Sequence, residues 1–370
     1  MEFRSTRYVL RLITAKPVRR GARILAVAVV IWLVVSLVVA HQLTRRRRAP
    51  FAEPAPNVAW GKFESPRLST RDGQKLGAWY AEGTGEAPSV LLLHGNGGRR
   101  RNCLTRAEVL AAEGCSVLLI SLRAHGDSTG EFNDIGLSAR HDVVAGVDFL
   151  ERRRPGRPVI VLGTSMGAAA AVFASGELAH RVRGYILESP YEHLRRAVRN
   201  RTQNALPPLL EWVAYQGLSI AALLVLPDLD AISPVDAIQG IPSDVPVLIL
   251  AGEADRKARP HEAKALHQRV KSHGRLIFFE KAGHLNFLET DLNRYRRSLL
   301  EFVRSLKPRT TSSSAPRLER ILPGPEVGSF PHGRKRIRSE ARVALASTDR
   351  TIRRGEVIHA DLAGDGRPLR

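Results

Sequence analysis

Cysteine is nearly absent: two thiols, Cys103 and Cys115, in 370 residues cannot build a disulfide framework. They fall in a helical stretch and a strand and read as buried free thiols, which leaves the compartment open. His, Cys and Asp are not gathered into the spaced sets that zinc requires. No phosphate-binding loop precedes a helix, so neither a metal nor a cofactor is expected. No internal repeat is present, and with it goes a solenoid. Acids are in deficit, 36 against 57 Lys and Arg, for a net charge of +21. Residues 1–60 hold 11 basic residues against two acids, and residues 307–370 hold 14 against seven, so the 246 residues between carry only +5. The excess belongs to the ends. No nucleic-acid module accompanies it, so it reads as membrane-flanking charge plus a solvated tail, and no nucleic-acid partner is expected.

One long apolar run is present. Ile24 to Ala40 reads ILAVAVVIWLVVSLVVA, with Ser36 its single polar residue and Trp32 at mid-run. At 1.5 Å per residue it spans roughly 25 Å, the short end of a membrane-crossing helix, expected over about 22–40. Arg4, Arg7, Arg11, Lys16, Arg19, Arg20 and Arg23 precede it, and Arg45 to Arg48 follow. The positive-inside rule then places the N-terminus in the cytoplasm and the rest of the chain on the exported side. The rival is a secreted protein, cleaved after Val38-Val39-Ala40, but the apolar run and its basic lead-in are long for a signal peptide.

Residues 1–48 form this basic N-terminus and anchor, and 49–60 (APFAEPAPNVAW), rich in Pro and Ala, read as a linker. Over 61–306 short apolar strands alternate with amphipathic helical stretches, which predicts an α/β fold with a mostly parallel sheet covered on both faces. Strands are expected at 76–81, 89–93, 116–121, 159–162, 184–187, 247–251 and 276–280. Helices are expected near 102–113, 136–153, 166–177, 259–272 and 290–306. Residues 191–240 break the alternation with Pro207-Pro208, Trp212 and the apolar run from Leu218 to Leu226, and read as a cap over the sheet. The cap's apolar face is expected to turn inward onto an acyl chain. The Ser-, Pro-, Gly- and Arg-rich stretch 307–370 reads as a basic, largely disordered tail.

Gly163-Thr164-Ser165-Met166-Gly167 carries the chemistry. The strand Val159-Ile160-Val161-Leu162 leads in and an alanine-rich helix leads out. A serine at such a turn is strained, so the residues two before and two after must be small. A serine hydroxyl needs a base, and the base an orienting acid. Asp255 follows the strand Leu248-Ile249-Leu250, and His284 follows the strand Leu276-Ile277-Phe278-Phe279. Glu253 and Glu188 compete for the acid; order and loop position favour Asp255. The other histidines lie in His-Gly turns (His94, His125), in helices or in the tail. A tetrahedral intermediate also needs two N–H donors. The N–H of Met166 and, in the loop His94-Gly95-Asn96-Gly97-Gly98, that of Asn96 are the expected pair.

Taken in order, LLLHGNGG, SLRAHGDSTG, GTSMGAAAA, LILAGEAD and KAGHLNF resemble the α/β-hydrolase superfamily over about 63–304, in its serine-aminopeptidase-like and monoacylglycerol-lipase-like branch. The resemblance implies Ser165 as nucleophile, Asp255 as acid, His284 as base, and Asn96 and Met166 as oxyanion donors. It makes His125-Gly126 a structural turn. The acid loop, AGEADRKARP, departs from the branch in lacking the Val-Pro pair that usually follows the aspartate. The implied activity is hydrolysis of an ester, thioester or amide through an acyl-enzyme, on a hydrophobic acyl substrate and at a membrane. The alternatives are a serine aminopeptidase-like peptidase and a catalytically inactive binding protein of the same fold.

Overall fold

Eight strands form one sheet. The computed structural model describes residues 16–226 and 228–306; the expected tail at 307–370 lies outside them. The strands are β1 (Arg67–Ser69), β2 (Lys75–Ala81), β3 (Ser89–Leu93), β4 (Ser116–Ile120), β5 (Val159–Thr164), β6 (Val182–Glu188), β7 (Val247–Gly252) and β8 (Gly274–Phe279). They lie in the order β1-β2-β4-β3-β5-β6-β7-β8. β1 and β2 pair antiparallel, β2 meets β4 antiparallel, and β4 through β8 run parallel.

Strand alternation divides the core. Leu91 and Leu93 of β3 and Val161 of β5 point to one face, while Val90, Leu92 and Leu162 point to the other. Helices α1 (Lys16–Leu43), α2 (Leu104–Ala111), α3 (Arg140–Arg153) and α4 (Met166–Leu178) come first in the chain. Then follow α5 (Leu194–Ala205), α6 (Pro208–Val225), α7 (Pro234–Ala237), α8 (Pro260–Arg269), α9 (Phe287–Thr290) and α10 (Leu292–Ser305). Helices α3, α4 and α8 cover the first face, through residues such as Val143, Ala168 and Leu266. Helices α2 and α10 cover the second, through Leu110, Leu299 and Phe302. Burial on both faces accounts for uninterrupted runs such as Val90-Leu91-Leu92-Leu93, all of them buried. A third apolar cluster, with Tyr191, Leu194, Leu226 and Ile232, sits in the cap segment above Ala169 of α4.

Two features differ from the expectations. Helix α1 is 28 residues long rather than about 19, and it lies along α6. The indole N–H of Trp32 donates to the Val213 carbonyl at 3.1 Å, and a Cβ on Gly217 would fall 2.1 Å from the Ser36 hydroxyl oxygen. The mid-run tryptophan and the single serine of the apolar run therefore face the cap helix. Both α1 and α6 are long and apolar enough to cross a membrane.

The second feature is the stretch after α1: the last basic residues of the expected anchor segment, and residues 49–60, expected as a linker, are packed onto the domain. Arg46 is nearly buried, and its guanidinium donates to the carbonyls of Gly130 (3.0 Å), Gly126 (3.2 Å) and Ser128. Asn133 N–H donates to the Thr44 carbonyl at 2.8 Å. Glu53 is buried, accepts from the Ser121 hydroxyl at 2.8 Å, and through its carbonyl takes a bond from Arg100 at 2.7 Å. Arg100 is itself buried and is neutralised by Asp127, and the Glu53 carbonyl gives its guanidinium a further acceptor. The Pro and Ala content gives no hint of this, because two buried polar anchors do the holding.

Candidate active site

β5 ends in a turn too crowded for side chains. Ser165 has φ 52° and ψ −109°, backbone that most residues avoid, and stands directly before α4. A Cβ on Gly163 would meet the backbone of Gly167 at 2.4 Å, and one on Gly167 would meet the Leu93 carbonyl oxygen at 2.6 Å. Ser165 N–H donates to the Glu188 carbonyl at 2.8 Å, pinning the turn to β6. The strain is thus held by strand, helix and two glycines together.

Asp255 stands three residues past β7 and His284 in the loop past β8, which brings both to the edge where Ser165 lies. His284 Nε2 is 3.1 Å from Ser165 Oγ, and His284 Nδ1 is 2.7 Å from Asp255 Oδ2. The other carboxylate oxygen of Asp255 accepts the N–H groups of Lys257 (2.7 Å) and Ala258 (3.0 Å). Burial pushes this carboxyl up, but the His284 hydrogen bond, the His284 charge and the two N–H donors together hold it below the usual carboxylate range. With Asp255 ionised, Nδ1 carries the imidazole proton and Nε2 is left to accept from the serine hydroxyl.

The competing acids are placed elsewhere. Glu188, at the end of β6, is fully buried and takes Arg106 Nε at 2.8 Å and the Tyr295 hydroxyl at 2.6 Å. It is a structural ion pair under the sheet. Glu253 is exposed. Arg106 also reaches the Leu285 carbonyl at 3.5 Å, next to His284.

Asn96 and Met166 line the same cavity as Ser165. Among the described residues neither backbone N–H donates within the protein. Two histidines build the loop that carries Asn96. Leu122 N–H donates to His94 Nε2 at 3.0 Å and Gly97 N–H to His125 Nε2 at 3.1 Å. Each ring's Nδ1 then donates to a carbonyl, Gly95 for His94 and Arg123 for His125. Burial, with the neighbouring His125 charge, lowers His94 to about 3, so it stays neutral and accepting. The Asn133 amide donates to Asn96 Oδ1 at 2.9 Å and orients that side chain. These two histidines are scaffold, signalled in sequence only by the following glycines.

The cavity has about 970 Å³ of empty space, part of it open to solvent. One wall is α6, through Leu218, Ala222 and Val225. A second part of the lining was not anticipated: it is the end of α1 with the residues just after it, through Ala40, Leu43, Thr44 and Arg47. Nothing in the Arg45–Arg48 run distinguishes Arg47 by sequence. The cap's apolar residues split between two faces. Leu209, Trp212 and Leu224 are 75 %, 58 % and 73 % exposed, so Trp212 does not turn inward as expected. Helical spacing explains it: positions 218, 222 and 225 share the cavity face, which excludes 209, 212 and 224. Among the described residues no group of three His, Cys, Asp or Glu is placed to hold a metal ion.

Comparison with known proteins agrees with this architecture. An uncharacterized protein of Mycobacterium tuberculosis is 30 % identical over 248 residues, covering 64 % of this chain and 79 % of that one. A monoglyceride lipase of Homo sapiens is 27 % identical over 275 residues, covering 65 % of this chain and 87 % of its own. Among solved structures, an esterase of Pyrococcus furiosus superposes with a TM-score of 0.56 at 21 % identity, over 70 % of this chain and 99 % of that one, a likeness of fold. Residues 90–296 match the alpha/beta hydrolase family, a span running from β3 into α10. The chain belongs to the α/β-hydrolase family and is a hydrolase.

Proposed function

We propose that this hydrolase cleaves acyl esters through a covalent acyl-enzyme on Ser165, at a membrane that α1 enters. The observation that carries the reading is the unbroken chain Ser165–His284–Asp255, at 3.1 and 2.7 Å. His284 takes the hydroxyl proton as Ser165 Oγ attacks the carbonyl carbon. The N–H groups of Asn96 and Met166 receive the oxyanion, and the positive end of α4 supports it. Collapse expels the alcohol, to which His284 returns the proton. Water then adds to the acyl-enzyme by the same route and releases the carboxylic acid. Asp255 stays ionised throughout and supports the imidazolium.

The cavity's apolar lining, Leu218, Ala222 and Val225 together with Ala40 and Leu43, favours a hydrophobic acyl group. That agrees with a relative named for monoglycerides. Charge flanks the apolar run of α1 on both sides, and its exposed apolar residues, Ile24 through Leu37, need a lipid environment.

A series of p-nitrophenyl esters on the full-length chain in neutral detergent tests the reading. Each added methylene buried in the cavity contributes up to about 0.8 kcal/mol, so kcat/KM climbs a few-fold per carbon until the cavity is full. Leu218→Ala flattens the climb and Trp212→Ala leaves it, because only the first side chain faces the cavity. Ser165→Ala loses turnover by several orders of magnitude. A flat profile in the unaltered chain removes the hydrophobic acyl group, and turnover within tenfold of the unaltered chain in Ser165→Ala removes the acyl-enzyme.

A further inference from the structure

The cavity beside Ser165 contains three arginines, Arg47, Arg195 and Arg201, and no carboxylate among its lining residues. They are not equivalent. Arg195 is spent on Asp230, with Nε 3.0 Å from Oδ1. Arg201 uses one nitrogen on the Ala197 carbonyl of its own helix, at 2.7 Å. Among the described residues no carboxylate lies within ion-pair distance of Arg47 or Arg201. The guanidinium of Arg47 lies against the oxyanion loop: a methyl added to Gly97 would meet Arg47 Nη1 at 3.4 Å. Its backbone is fixed there by the preceding residue, since Arg46 is clamped to the carbonyls of Gly126, Ser128 and Gly130.

Other basic residues of this chain are used differently. Arg100, Arg106 and Arg123 are buried and paired with Asp127, Glu188 and Asp142. Arg45 lies over the Phe132 ring, 5.8 Å from its centroid. Among the described residues neither guanidinium is ion-paired, with Glu262 and Asp255 acting on Arg201 only at longer range; two such groups at a mostly apolar cavity repel each other and attract an anion.

We propose that Arg47 and Arg201 form an anion subsite, so that the ester cleaved at Ser165 carries a phosphate or carboxylate on its alcohol part. This rests on the acyl-ester reading above: the apolar side chains of α1 and α6 take the acyl chain, which leaves the guanidinium pair for the leaving alcohol. The products are a fatty acid and an anionic alcohol, with one water consumed. An anionic lipid in the bilayer and a free acylated metabolite share this chemistry. Helix α1 therefore serves catalysis as well as attachment, since the segment leaving it delivers Arg47 to the site.

The test is binding to the full-length Ser165→Ala protein in neutral detergent, which needs no turnover. The probes are 1-decanoylglycerol 3-phosphate, uncharged 1-decanoylglycerol, and glycerol 3-phosphate alone. The phosphorylated lipid is expected to bind at least tenfold more tightly than the uncharged one. Arg47→Ala and Arg201→Ala each lower that ratio about tenfold, and Arg47→Lys restores part of it. Arg48→Ala, outside the cavity, leaves the ratio as it was. The ratio cancels any general loss of affinity in a variant. Glycerol 3-phosphate binding as tightly as the lipid supports the subsite and assigns it to a soluble metabolite; weak binding of it assigns the subsite to a lipid. Equal binding of the two decanoyl esters overturns the proposal, as does a ratio lowered equally by Arg48→Ala, which would show diffuse charge. Failure of the unaltered chain to hydrolyse any ester would sink the acyl-ester reading and leave this binding result standing.

Discussion

Ser165 occupies strained backbone because three neighbours leave it nowhere else to go. Gly163 and Gly167 close the turn and the Glu188 carbonyl pins its N–H. The same residue-scale logic separates two buried carboxylates of similar sequence appearance. Asp255 faces a histidine, while Glu188 faces Arg106 and Tyr295. Asp255→Asn is therefore expected to lower kcat by roughly three to four orders of magnitude, by presenting the wrong group to Nδ1, with little change in thermal midpoint. Glu188→Gln strands a buried guanidinium and is expected to cost about 3–5 kcal/mol of stability. Its remaining folded fraction keeps near-normal kcat. Parallel kinetics and thermal unfolding of the two variants decide it; the opposite pattern, a dead Glu188→Gln and an active Asp255→Asn, would move the acid to Glu188. These residues were legible in sequence because each follows a strand end in chain order. Arg106 and Tyr295 were not, since partners of a buried charge come from distant segments whose spacing carries no periodic signal.

At the scale of elements, strands and helices followed from period-2 and period-3.6 patterning, and their bounds fell within a few residues. The short edge strand Arg67–Ser69 escaped because three residues establish no alternation. The segment between α1 and β1 escaped for a different reason. Pro and Ala mark a chain that forms no helix, but Arg46 and Glu53 strap it to the domain through single buried side chains. A truncated chain beginning at residue 57 would look from sequence like an intact soluble domain. The strap predicts otherwise: it loses Glu53 from Arg100 and Ser121 and Arg46 from the Gly126–Gly130 carbonyls, while Arg100 keeps Asp127, and is destabilised by about 1–3 kcal/mol, on the scale of lost buried hydrogen bonds. A chain beginning at residue 44 keeps both anchors and most of that stability, while losing the Ala40 and Leu43 wall. Urea midpoints of the two truncated chains measure the difference. Equal midpoints would show that the strap is passive.

Across the described residues, the two helices with exposed apolar faces lie side by side, and both line the cavity that reaches Ser165. Their pairing explains residues that looked anomalous in isolation, Trp32 at mid-run and Gly217 inside an apolar helix. Sequence showed that each segment was apolar but not that they meet, because helix contact depends on faces brought together by the rest of the fold. The same two helices that carry exposed apolar faces thus also line the cavity at Ser165. Everything in this picture depends on Ser165 being a nucleophile activated by His284. Labelling the full-length protein with a fluorophosphonate and mapping the modified peptide by mass spectrometry measures that property alone. The expected result is one phosphonate on Ser165, slowed at least a hundredfold in His284→Ala because the hydroxyl then lacks its base. An unlabelled chain, or a label on another residue, would contradict it.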